Sequence, residues 1–246
     1  MIRILSALMI VFFVLPIQAK AELLSIDLAE DHLDITTGFN GGLIHLFGHR
    51  KNDLHDVFVV LEGPKHEVKV RQKTQMLGAW MNTSTKVFED IPVYYDYAFD
   101  EANTAAVSEN IFNKFISAEN FFDIAGVKNE KKRAIIEKYK DAFIDERKRE
   151  GLYPVVHSTI KFIDENFFKL SFELPANVPK GQYMVRAFLH DDGKIITEQR
   201  TSFWVGQVGF NAKVNKFSEK ESLVYALLCV FLALFSGWLS NKIARK

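Results

Sequence analysis

Cysteine is almost absent from this chain of 246 residues, which contains Cys229 and no other. An internal disulfide framework is therefore excluded. Neither sign of charge prevails, with 31 basic and 31 acidic residues. No broad basic surface of the kind that holds nucleic acid is implied. The sequence contains no G-x-S-x-G, H-E-x-x-H, G-x-G-x-x-G or Walker pattern. Those gaps remove the local signatures of serine hydrolases, zinc peptidases and the common nucleotide-binding loops. The chain is expected to be no enzyme, with no catalytic residue, cofactor or metal site.

Long runs without charge are also scarce, and the two that stand out lie near the ends. Residues 4–15 are mostly apolar, follow Arg3, and are closed by Pro16 and the A-x-A pattern Ala19-Lys20-Ala21. This is the pattern of a secretory signal peptide over residues 1–21. Residues 223–240, LVYALLCVFLALFSGWLS, contain no charged side chain. Eighteen residues of helix cover roughly 27 Å, close to the hydrocarbon thickness of a bilayer. The tail 241–246 carries Lys242, Arg245 and Lys246, which mark a cytoplasmic end. The pattern predicts a bacterial inner-membrane protein that crosses once, with residues 22–222 in the periplasm. That segment retains 26 of the basic residues and all 31 acidic ones, a net charge of −5, once Arg3, Lys20 and the tail are set aside.

Between the ends, β-patterns flank a helical stretch. Residues 22–100 alternate in short runs, and Val57-Phe58-Val59-Val60-Leu61 reads as a buried central strand ending at Gly63-Pro64. Residues 101–151 carry helical spacing. Ile136, Tyr139 and Phe143 form one stripe in a charged run that Gly151 stops, and a second helix is expected before Gly126. Residues 152–206 return to β-pattern: Phe168, Leu170, Phe172 and Leu174 alternate with polar neighbours, and Asp191-Asp192-Gly193 signals a hairpin. Residues 207–222 form a linker. The expected fold is mainly β: an immunoglobulin-like sandwich of one or two lobes, 22–100 and 152–206, with a helical hairpin insert and a C-terminal transmembrane helix.

Three constellations could carry a function. His45, His49 and His55 cluster in sequence, but their spacing matches no ligand motif. Trp80, Tyr94, Tyr95 and Tyr97 could form a ligand platform, although alternation assigns most of them to a core. The strongest pattern is a seam of small residues in the predicted span. Ala226, Cys229, Ala233, Ser236 and Ser240 recur at spacings of three and four, with Gly237 adjoining. Small residues let helices approach closely in a bilayer, and hydroxyls can bond across the contact. The expected partners are the lipid bilayer and another transmembrane helix, from a permease or a second copy, with no nucleic acid. The competing reading is a periplasmic metal- or small-ligand-binding receptor or enzyme, built around His45–His55 or the Tyr94–Tyr97 strand.

An ordered set of short islands resembles the alphaproteobacterial transmembrane protein family of single-span proteins. The set includes Ile35-Thr36-Thr37-Gly38-Phe39, Leu46-Phe47-Gly48, Glu62-Gly63-Pro64, Trp80 with Asn82, and Ile91-Pro92 with Tyr94-Tyr95. Gly151-Leu152-Tyr153, Pro175-Ala176-Asn177-Val178-Pro179, Val208-Gly209-Phe210 and Gly237-Trp238 continue it. The resemblance implies no catalytic residues. It does imply a partner class, because such proteins are often encoded beside permeases of the sulfite- and sulfonate-exporter type.

Overall fold

The computed structural model describes residues 22–76, 78–100, 111–122, 129–191, 193–207, 217–218 and 220–244. The expected signal peptide lies outside these residues, as does most of the linker. Among the described residues there are eleven strands: β1 Leu24–Leu28, β2 His32–Ile35, β3 Gly41–Arg50, β4 Asp56–Glu62, β5 Lys65–Met76, β6 Ala79–Pro92, β7 Tyr95–Asp100, β8 Ser158–Phe162, β9 Phe167–Pro175, β10 Gly181–Asp191 and β11 Lys194–Gln207. Two α-helices are described, α1 Glu130–Arg149 and α2 Ser222–Ala244.

Nine strands form one curled sheet in the order β1-β3-β9-β8-β7-β4-β10-β11-β2. Most neighbours are antiparallel, while β2 joins β11 and β8 joins β7 in parallel. The ladder is continuous through β8, which pairs with β9 on one side and β7 on the other. The sheet curls until β1 lies against β11. Of the one or two lobes expected, the continuous ladder joins both β-rich ranges in one sheet. Strand β3 pairs with β9, and β4 pairs with β10. Residues 22–100 and 152–206 are therefore interleaved halves of one body, which share one hydrophobic core.

Strand β4 shows why the halves need each other. Val57, Phe58, Val59, Val60 and Leu61 are all buried, although successive strand side chains point to opposite faces. One face meets the sheet interior and the other is covered by the inserted segment. Phe58 stacks on Phe188 at 4.7 Å between ring centroids, and Phe115 of the insert packs against both. The insert differs from the expected helical hairpin. Its second half is α1, capped by Asn129 Oδ1 accepting from the Lys132 N–H; of the expected stripe, Tyr139 and Phe143 are buried and Ile136 is partly buried against the core, and Ile144 is buried beside them. Its first half shows, among the described residues, one π-helical turn at Phe112–Ile116 and one 3-10 turn at Ala118–Phe121. Residues 101–110 and Gly126 lie outside the described residues. Aromatic edges join the pieces: Phe122 meets Phe88 and Phe143, and Phe143 meets Tyr153.

Strands β5 and β6 form a separate two-stranded ribbon. Val68, Val70 and Phe88 near its base rest on the core, and Tyr139 of α1 shares hydrogen bonds with Gln72 and Ser84. Helix α2 spans 23 residues, about 34 Å at about 1.5 Å per residue.

Gly48 lies opposite Phe168 in the β3–β9 ladder, and a Cβ there would meet the Phe168 ring at 2.1 Å. Phe168 is fully buried and cannot swing aside without disturbing Phe162 beside it. Gly48→Ala should therefore destabilise the fold by about 1–3 kcal/mol. Urea unfolding followed by tryptophan fluorescence would read this as a lower midpoint with an unchanged slope.

Candidate functional site

Strand β8 begins between two neighbours and does not follow either for long. Its ladder with β9 covers only Lys161↔Lys169 and Phe162↔Phe168, while β9 continues to Pro175. Its ladder with β7 covers only Ala98↔Ser158 through Asp100↔Ile160. A wedge-shaped cleft of about 1030 Å³ opens between these diverging strands. Ser171 and Glu173 of β9 line one wall, and residues 154–158 line the other with Asp96 and Tyr94. Among the described residues, the β9 edge facing the cleft has no strand partner beyond Lys169. Tyr94 reaches across, its hydroxyl donating to the Glu173 carbonyl at 3.2 Å.

Asp96 is the notable titratable group. The alternation of β7 sends Asp96 away from Tyr95 and Tyr97, and it is buried. Its Oδ1 accepts from the Tyr97 N–H at 2.7 Å, and its Oδ2 accepts from the Ser158 hydroxyl at 3.2 Å. Desolvation outweighs these bonds and pushes its pKa up to about 7, with Glu173 adding a smaller like-charge contribution. The group can thus change between hydrogen-bond donor and acceptor near neutral pH.

The rim carries a second arrangement. His45 Nδ1 and Ser171 Oγ are cross-strand neighbours 2.7 Å apart. An imidazole beside a hydroxyl is half of a nucleophilic triad, but among the described residues no carboxylate hydrogen-bonds to the His45 ring. Sequence spacing could not reveal this pair, because 126 positions separate its members. His190 is also buried, with neither ring nitrogen partnered among the described residues, and burial lowers its proton affinity. It does not line the cleft.

The other sequence candidates are dispersed. His45 and His49 share the outer face of β3, whereas His55 precedes β4 and its carbonyl accepts from Arg50. Among the described residues no three His, Cys, Asp or Glu side chains converge as a metal site would require. Trp80 is exposed on the ribbon, Tyr94 and Tyr95 are buried in the core, and Tyr97 is half-buried, so these four rings form no common platform.

The seam residues all lie on α2. At about 100° per residue, Ala226, Cys229, Ala233, Ser236, Gly237 and Ser240 occupy an arc of roughly 100°. Ser236 donates to the Ala233 carbonyl at 2.9 Å, so its hydrogen is used within its own helix. A Cβ at Gly237 would meet nothing within 4 Å. Leu227, Phe231 and Leu234 on the remaining surface are exposed. Among the residues with described side chains, no helix is long and apolar enough to cross a membrane. In sequence, positions 222–241 of α2 carry no charge.

The family model described as "Putative transmembrane protein (Alph_Pro_TM)" matches residues 23–246. No curated protein matches the chain. Among solved structures, the CooA pilin subunit from enterotoxigenic Escherichia coli aligns with 75% of this chain and 99% of its own, at 11% identity and a TM-score of 0.23. A likeness at that score carries no argument about this chain.

The raised pKa of Asp96 has a definite consequence for stability. The folded carboxyl titrates near 7 and the free one near 3.8. Its contribution is fully present below pH 3.8 and is lost as pH rises through 7. Wild-type stability should fall across this interval. Asp96→Asn, whose one amide oxygen can still accept from the Tyr97 N–H while its NH2 donates to the Ser158 hydroxyl oxygen, should flatten that slope and be more stable above pH 7 by up to about 4 kcal/mol. Urea titrations at stepped pH would check it.

Proposed function

This chain belongs to that transmembrane family, and we propose that it is an exported, membrane-tethered interaction subunit without chemistry of its own. In this reading residues 1–21 direct export, 22–222 form the periplasmic body, and α2 crosses the inner membrane with the short basic tail inside. One observation carries the proposal: α2 is a 23-residue helix with no charge over positions 222–241, and among its described side chains Leu223, Leu227, Phe231 and Leu234 are largely exposed. In water that surface would be a severe liability, whereas in lipid it is the expected exterior. Within the bilayer the arc from Ala226 to Ser240 is the natural contact for a second helix. The resemblance points to a permease of the sulfite- and sulfonate-exporter type, with a second copy as the other possible occupant.

Packing along that arc depends on backbone approach, since Ser236 spends its hydrogen internally. Ala233→Leu with Gly237→Leu should therefore reduce recovery of a cross-linked membrane partner severalfold without removing the protein from membranes. Undiminished recovery counts against the seam. A chain ending at residue 221 should move from the alkali-resistant membrane fraction to the soluble fraction; retention in the membrane counts against the tether.

A ligand-binding or hydrolytic body is the second reading, favoured by the cleft and the His45–Ser171 pair. Its hydrolytic version requires Ser171 to react. A fluorophosphonate probe that leaves Ser171 unlabelled on the full chain would remove the hydrolytic version.

A further inference from the structure

The ribbon of β5 and β6 is the largest feature that the tether does not explain. A two-stranded ribbon alone is marginal in water, yet every residue from Arg71 to Met76 and from Ala79 to Thr85 is exposed. Its strands of 12 and 14 residues could reach about 40 Å from base to tip. At the tip, Met76 pairs with Ala79, Gln75 with Trp80 and Thr74 with Met81. Met76 and Met81 therefore share one face, while Trp80 lies on the other. All three are open to solvent, at 51%, 54% and 70% exposure. Apolar groups on both faces of a narrow tip suit entry end-on into a soft medium better than packing of one face on a rigid partner.

The charges behind the tip are sorted. Positions 70–88 contain Arg71, Lys73 and Lys86 and no Asp or Glu, whereas Glu67, Glu89 and Asp90 lie toward the base. This local charge of +3 stands on a segment, 22–222, whose net charge is −5. Tryptophan and methionine ahead of a basic collar match the interface of an anionic bilayer, where the ring sits among headgroups and cations meet phosphates. Each such cation is worth roughly fivefold in binding.

We propose that the tip of the β5–β6 ribbon docks into the headgroup layer of an anionic phospholipid membrane, making a second contact beside α2. The inference rests on the membrane tether proposed above. Attachment by α2 makes the second contact effectively intramolecular, so a weak tip affinity suffices.

The test uses the full chain in nanodiscs with an environment-sensitive dye at two positions. Native Cys229 reports α2, and Gln75→Cys in a Cys229→Ala background reports the tip while leaving Trp80, Met76 and Met81 intact. Discs contain either phosphatidylcholine alone or phosphatidylcholine with phosphatidylglycerol. The expected result is a Cys229 dye in an apolar setting in both discs, and a tip dye that shifts to the blue only with phosphatidylglycerol. High salt should reverse the tip shift while Arg71, Lys73 and Lys86 are intact. Joint Arg71→Glu, Lys73→Glu and Lys86→Glu should abolish it, as should Trp80→Ser with Met81→Ser. A water-like tip dye beside a lipid-immersed Cys229 dye overturns the tip contact alone. An equal tip shift in neutral lipid overturns the anionic assignment, and a shift that tracks protein concentration assigns the tip to a second copy. A water-like Cys229 dye overturns the tether itself.

Discussion

Burial of strand β4 on both faces is the constraint from which the rest of the architecture follows. Five consecutive apolar residues, Val57 to Leu61, leave no polar side for water. One face requires the curled sheet, which only strands from both halves of the chain can complete. The other requires the insert, and Phe115 against Phe58 and Phe188 is that contact. The helical segment is thus a wall of the core, and the two β-rich ranges could not each have formed a closed body.

Beyond β4, three surfaces stand out among the described residues. Strand β8 serves two neighbours and leaves the wedge that exposes the β9 edge beside Asp96. The outer ribbon presents Met76, Trp80 and Met81. Helix α2 presents exposed apolar side chains between Leu223 and Trp238. The first is polar and shaped, the second mixes cations with an aromatic anchor, and the third is mostly apolar and uncharged over positions 222–241. As proposed above, the ribbon tip is a contact with headgroups and α2 a passage through lipid, and the wedge is left to the second reading. Family membership over residues 23–246 agrees with a membrane setting in general.

Much of the local structure was legible in the sequence. The apolar run of β4, the alternation of β9, the stripe of α1 and the turn before Lys194 each follow from side-chain periodicity, and each occurs where expected. Strand order was not legible. The partners β3 and β9 are far apart in the chain, and the parallel pairs β2–β11 and β7–β8 have no turn between them to announce them. Asp96 was hidden for a similar reason: it reads as the polar step between Tyr95 and Tyr97, yet β7 is covered on both faces. The pair His45 and Ser171 exists only through the β3–β9 register. The seam on α2 was legible because helical spacing alone defines it, although the internal bond of Ser236 was not.

The central claim is a topology, with the β body outside and the basic tail inside. Proteinase K added to intact spheroplasts tests it most directly, using immunoblots against an epitope placed after Lys246. The account predicts that the β body is digested while a small fragment containing α2 and the tail survives in the membrane. Full-length protein that resists the protease until the spheroplasts are lysed would contradict it.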